Sequence, residues 1–120
     1  MYSVPKVMDL YEQKVRTLGF DELLRMYKNN ARFVLVDGRS QEDYDQKHLP
    51  GAVNIPLEDI KSYADRLDKN EEIVTYCGGF QCPVSTEAAK VFMGLGFRNV
   101  RDYKGGIQEW TDKGYPTESS

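Results

Sequence analysis

Residues 31–37, ARFVLVD, run almost unbroken through apolar side chains and stop on Asp37. A strand with one wet face alternates apolar and polar residues. A strand that is apolar nearly throughout is buried on both faces, as in a parallel sheet covered by helices on either side. Three further runs of the same kind follow: the shorter GAVNIP at 51–56, EEIVTYC at 71–77 and, less apolar, FRNVRDY at 97–103. Helical patterns separate them. Residues 19–29 place Phe20, Leu23, Leu24 and Tyr27 on one face, and residues 57–68 place Leu57, Ile60, Tyr63, Ala64 and Leu67 on another. Residues 85–96 repeat Ala88, Val91, Phe92 and Leu95 before Gly96, a natural helix stop, and a last short helix over 105–114 closes at Gly114 and Pro116. Strands alternating with helices predict an α/β fold around a mostly parallel sheet of about five strands.

The chain has 120 residues, 40% of them apolar and 12% aromatic, which suits one domain with a real core. The expected division is an N-terminal arm or short helix at 1–16, a domain at 17–116 and a tail at 117–120, with no repeat or low-complexity tract. A net charge of −3 gives no electrostatic reason to expect nucleic acid or an acidic membrane surface as a partner. No run approaches the ~18 apolar residues of a membrane span. The opening MYSVPKVMDLYEQKV lacks a signal pattern, so the expected location is cytoplasmic. Two cysteines do not make a disulfide framework.

Those cysteines flank the chain's most informative stretch, VTYCGGFQCPVST at 74–86. Cys77 ends an apolar strand, and in open α/β sheets ligands bind beyond the carboxyl ends of strands. Two glycines after it allow successive N–H groups to turn toward one point, and the helix that begins near Ser85 adds its positive end. Such donors stabilise a thiolate or a persulfide anion and lower the cysteine pKa. Cys77 is therefore the candidate nucleophile, against the plainer reading of a core cysteine before an ordinary turn. One histidine and two cysteines do not build a zinc site, and no metal or cofactor is expected.

Several stretches together resemble the single-domain rhodaneses. VLVDGRSQEDYDQKHLPGAVNIPLEDI at 34–60 resembles that family's strand, Asp-x-Arg turn, short acidic-aromatic helix and His-[Ile/Leu]-Pro-Gly-Ala segment. IVTYC resembles its active-site strand, STEAAKVFMGLGF the helix after its active-site loop, and VRDYKGGIQEWTDKGYP at 100–116 its closing segment. The resemblance spans roughly residues 17 to 116. It implies a three-layer α/β/α sandwich and a sulfurtransferase in which Cys77 takes a sulfane sulfur from a small donor such as thiosulfate, polysulfide or a persulfide. The sulfur then passes to a thiol or cyanide-like acceptor, and a protein persulfide can serve as donor or acceptor. The binding loop would comprise Gly78, Gly79, Phe80, Gln81, Cys82 and Ser85.

The chain departs from the family in its loop. Aligning the following helix on residues 88–90 puts Val84 where the family has a basic residue and Ser85 on its Ser/Thr position. The loop is two residues longer, and CGGFQCPV contains neither Arg nor Lys. A doubly negative donor then lacks its partner charge, which favours a less charged donor unless a distant segment supplies a cation. The longer loop resembles a subset with a second loop cysteine, here Cys82, read either as a resolving thiol or as a small space-filling residue. Phosphatase chemistry needs an arginine six residues after the cysteine, and Pro83 stands there.

Asp37 and Arg39 read as an ion pair or turn cap, or alternatively as a wall of the pocket. His48 reads as a turn-fixing residue, Trp110 as core, Phe80 as a pocket-mouth or exposed aromatic, and Glu42, Asp43 and Asp45 as a solvated helix face. Ser85 reads as the helix N-cap, a donor to sulfur, or both. Two competing functions remain: a thiol–disulfide redox protein using Cys77 and Cys82, and a catalytically weak domain that docks partner proteins.

Overall fold

The computed structural model describes residues 14–120. All but the last three residues of the expected arm lie outside the described residues. The elements run β1 (Arg16–Thr17), α1 (Phe20–Lys28), β2 (Val34–Asp37), α2 (Gln41–Gln46), β3 (Val53–Asn54), a 3-10 turn (Leu57–Asp59), α3 (Ile60–Ala64), β4 (Glu72–Tyr76), α4 (Val84–Gly94), β5 (Asn99–Tyr103) and α5 (Gly106–Asp112). The strands form one sheet in the order β1-β5-β4-β2-β3, and each pairing is parallel. β4 is the middle strand and carries the cysteine at its end.

Side chains leave β4 alternately, so the central strand feeds both layers. Val74 and Tyr76 join Leu23, Ile107 and Trp110 in the core under α1 and α5. Ile73 joins Ile60, Ala64, Ala88, Ala89 and Phe92 under α3 and α4. Helices on both faces make the three-layer α/β/α sandwich. Trp110 is core as expected, packed with Phe20, Tyr27 and Tyr115, its indole N–H donating to the Pro116 carbonyl at 2.7 Å.

Several bounds differ from the sequence expectation. β2 begins at Val34 because the preceding residues still close α1: Asn30 takes φ +53° and the Ala31 N–H donates to the Met26 carbonyl. The helix expected over 57–68 breaks into the 3-10 turn and a five-residue α3. Arg66 and Leu67 then bond three residues back, tightening the exit. Gly96 ends the α4 region with φ +97°, the left-handed conformation that favours glycine. Residues 117–120, expected as a tail, lie against the domain: Glu118 and His48 exchange backbone hydrogen bonds at 2.8 and 2.9 Å.

At the sheet's carboxyl edge, Asp37 is fully buried and paired with Arg39, whose Nη2 lies 2.9 Å from its carboxylate. Arg39 also donates its backbone N–H and Nε to Asp37, and Tyr76 donates its hydroxyl to the same carboxylate. Burial alone lowers the guanidinium pKa; hydrogen bonding and attraction to Asp37 outweigh it and raise the value overall. Burial, then the Asp37 charge, holds the Tyr76 hydroxyl far above its usual pKa, so it stays a donor. Replacing Arg39 with Ala leaves a buried carboxylate without its cation. We expect a loss of about 3–5 kcal/mol, read as a lower urea midpoint. Arg39→Lys, which keeps the charge but not the fork, recovers part of it.

Candidate functional site

Tyr76 and Tyr103 are register partners on β4 and β5. The next residues, Cys77 and Lys104, therefore leave neighbouring strands side by side. Cys77 is buried, at 5% exposure, and its sulfur is bonded to that of Cys82 in a disulfide. The loop between them is anchored to the start of α5. Ile107 N–H donates to the Cys77 carbonyl at 3.1 Å and Gln108 N–H to the Gly78 carbonyl at 2.9 Å. Within the loop, Cys82 N–H donates to the Gly79 carbonyl at 3.1 Å. The N–H groups of Gly78, Gly79, Phe80 and Gln81 find no acceptor among the described residues.

This close approach depends on Gly106. Its φ is +62°, and a Cβ there would collide with the Cys77 carbonyl oxygen and stand 2.9 Å from Gly79 N. Sequence reading took the glycine pair at 105–106 only as a helix start; its second member is what lets α5 touch the cysteine loop.

Ser85 is not the helix N-cap. α4 starts one residue earlier, at Val84, with Pro83 in the cap position and no side-chain cap. Pro83 offers its carbonyl to the Glu87 N–H at 3.1 Å, so the helix begins without a hydroxyl cap. Ser85 lies in the first turn at 1% exposure, and its hydroxyl has no hydrogen-bond partner among the described residues. Val84, at the family's basic position, packs where a Cβ on Gly38 would meet it at 3.1 Å.

Of the two readings of Asp37 and Arg39, the structure shows the ion pair described above and not the alternative, a pocket wall. Asp37 exposes no surface, and Arg39 is spent on it and on the Lys47 carbonyl. His48 fixes the turn before Pro50: it is buried, stacked on Tyr44, with Nδ1 2.7 Å from the Tyr44 carbonyl oxygen. The cavity of about 630 Å³ beside the loop is bounded by loop residues 79–82 and, across from them, Gln108, Glu109, Asp112 and Lys113. Phe80, 63% exposed, stands at its mouth. Cys82, not Cys77, faces this cavity.

One residue sequence reading missed altogether. Lys104 donates to the Cys82 carbonyl at 3.2 Å and to Thr86 Oγ1 at 3.2 Å. Its signal was legible only jointly, from a basic residue directly after β5 and β5 lying next to β4. Among the described residues no cluster of His, Cys, Asp and Glu is placed to hold a metal, and no helix is long and apolar enough to cross a membrane.

A family model described as Rhodanese-like domain matches residues 20–113. The chain is 34% identical over 97 residues to an HTH-type transcriptional regulator of Mycobacterium tuberculosis, covering 81% of this chain and 42% of that protein. It is 32% identical over 93 residues to the adenylyltransferase and sulfurtransferase UBA4 of Candida albicans, covering 71% of this chain and 21% of that one. The chain thus spans less than half the length of either relative. The crystal structure of the BH2092 protein from Bacillus halodurans superimposes with a TM-score of 0.81 at 31% identity, covering 96% of this chain and 85% of that one.

The anchoring by Gly106 yields a prediction. Gly106→Ala pushes α5 off the loop and costs about 1–3 kcal/mol through overpacking, on top of the left-handed backbone penalty. Gly114→Ala carries a similar backbone penalty, at φ +82° with open space around it. Urea melts of the two should show the larger loss for Gly106→Ala, and only that variant should change the alkylation rate of reduced Cys77.

Proposed function

The chain belongs to the rhodanese-like domain family, and from that premise we propose that it is a sulfurtransferase carrying sulfane sulfur on Cys77. The observation that carries this reading is the placement of Cys77. It sits buried at the carboxyl end of the central strand, followed by four loop N–H groups with no acceptor among the described residues. The Cys77 thiolate attacks the outer sulfur of the donor. The donor's sulfur–sulfur bond breaks, its electron pair leaves with the donor, and Cys77 becomes a persulfide anion. Loop amides and the unpartnered Ser85 hydroxyl are the donors on hand for that anion. A thiolate or cyanide acceptor then takes the terminal sulfur and returns Cys77 as a thiolate. A cytoplasmic setting, with small thiols available, suits this cycle.

The Cys77–Cys82 disulfide favours a second reading, a thiol–disulfide redox protein. The two chemistries connect through one step. The Cys82 thiolate attacks the inner sulfur of the Cys77 persulfide, forms the disulfide and releases hydrosulfide. Cys82 would then be a resolving thiol, and a small thiol attacking from the cavity side would reopen the bond.

Intact mass separates the readings. Reduced protein is exposed briefly to thiosulfate, polysulfide or glutathione persulfide, alongside Cys77→Ser and Cys82→Ser. We expect wild type and Cys82→Ser to gain one sulfur and Cys77→Ser none, with the sulfur held longer in Cys82→Ser. Loss of two hydrogens in wild type, with no sulfur gained from any donor by Cys82→Ser, which cannot resolve a persulfide, would sink sulfur transfer and leave the redox protein.

A further inference from the structure

The cysteine loop carries no basic residue, yet one cation is bonded to it. We propose that Lys104 selects the sulfur donor by charge, taking the place of the basic residue missing at Val84. The proposal rests on Cys77 being the sulfur carrier.

Four observations support it. First, the β4–β5 register sets Lys104 beside Cys77 at the sheet's carboxyl edge. Second, its ammonium lies 3.2 Å from the carbonyl of Cys82, the residue whose sulfur is bonded to that of Cys77. Third, no carboxylate forms a salt bridge with Lys104 among the described residues. The nearest acidic partner in its network, buried Asp102, is reached only through the Thr86 hydroxyl, which donates to it at 2.8 Å. The positive charge is therefore held in place without being directly paired. Fourth, Lys104 is partly buried, where a charge is screened less than at an open surface.

Other cations are engaged or turned elsewhere. Arg39 is bound to Asp37. Lys113 borders the cavity, but its ammonium lies over the Phe20 ring, 5.1 Å from the centroid. Lys90 is exposed on α4. Lys104 has two donors in use and a third free, enough to bind an oxyanion at the loop.

A doubly charged donor gains more from this ammonium than a singly charged one. Thiosulfate and an alkanethiosulfonate deliver the same outer sulfur and differ by one charge. In each, the Cys77 thiolate takes that sulfur, and the bond's electron pair departs with sulfite or with an alkanesulfinate. The test uses the reduced 120-residue chain, cyanide as acceptor, and both donors. Wild type is compared with Lys104→Gln, Lys104→Arg and Lys113→Gln, with folding checked by thermal melts.

We expect Lys104→Gln to raise the thiosulfate KM about tenfold, the size of one charge-assisted contact. The alkanethiosulfonate KM should rise by a clearly smaller factor, and Lys104→Arg should restore the wild-type ratio. Lys113→Gln should leave the ratio as in wild type. Equal changes for both donors, no change for either, or a wild type that uses only the singly charged donor would overturn the role of Lys104 while leaving the sulfur carrier intact. If neither donor loads Cys77, the sulfur-transfer reading itself fails. Should Lys104→Gln melt early, salt titration of wild type decides. Screening must raise the thiosulfate KM more steeply than the other, and parallel slopes would refute the proposal.

Discussion

The buried carboxylate of Asp37 organises the end of the molecule where chemistry is possible. It sits at the last position of β2 and accepts from Arg39 and from the Tyr76 hydroxyl, one residue before Cys77. The Tyr76 hydroxyl in turn accepts the Leu49 N–H at 3.0 Å, and Arg39 reaches the Lys47 carbonyl. Asn54 donates to the Asp37 and Arg39 carbonyls from β3. One charge thus fixes three strand ends and the 47–49 segment relative to one another. A buried charge with this many partners is costly to leave half-paired, so the arrangement tolerates little drift.

The cysteine loop inherits that rigidity on one side and receives a second support on the other. Gly38 N–H donates to the Tyr76 carbonyl, tying β2 to the residue before Cys77, while α5 grips the two residues from Cys77 to Gly78. The loop is consequently held at its root and at the Lys104 bond to Cys82, while its tip at Phe80 is exposed. Held roots with free amides between them suit a site that must accept a small anion without rebuilding itself.

Much of this was legible in the residues. The apolar runs ending in Asp37 and Cys77 marked two interior strands, because only strands covered on both faces dispense with alternation. The loop's glycines and its cysteine followed from the chemistry of strand ends. β1, two residues long, carried no periodic signal. The helix expected over 57–68 had the right apolar face but not the right backbone, since i→i+3 bonds took its final turn. Ser85 looked like a cap because Ser is a frequent one; Pro83 and Val84 shifted the helix start by one residue and buried the hydroxyl instead. Asp37 and Arg39 were readable as an ion pair or turn cap through the family resemblance of their motif, and burial excluded Asp37 from the cavity wall.

What the sequence determined by itself was local: which of the longer segments are strands and helices, which cysteine ends a buried strand, and that its loop lacks a cation. Periodicity and turn chemistry act over a few residues, so they are written in the order of the chain. What only the tertiary structure decided was adjacency. Lys104 lies 27 positions after Cys77 and becomes its neighbour through the pairing of β4 with β5. Gly106 likewise becomes the surface on which the loop rests only once α5 packs against it. Charge acts through space rather than along the chain, and the strand order sets that space.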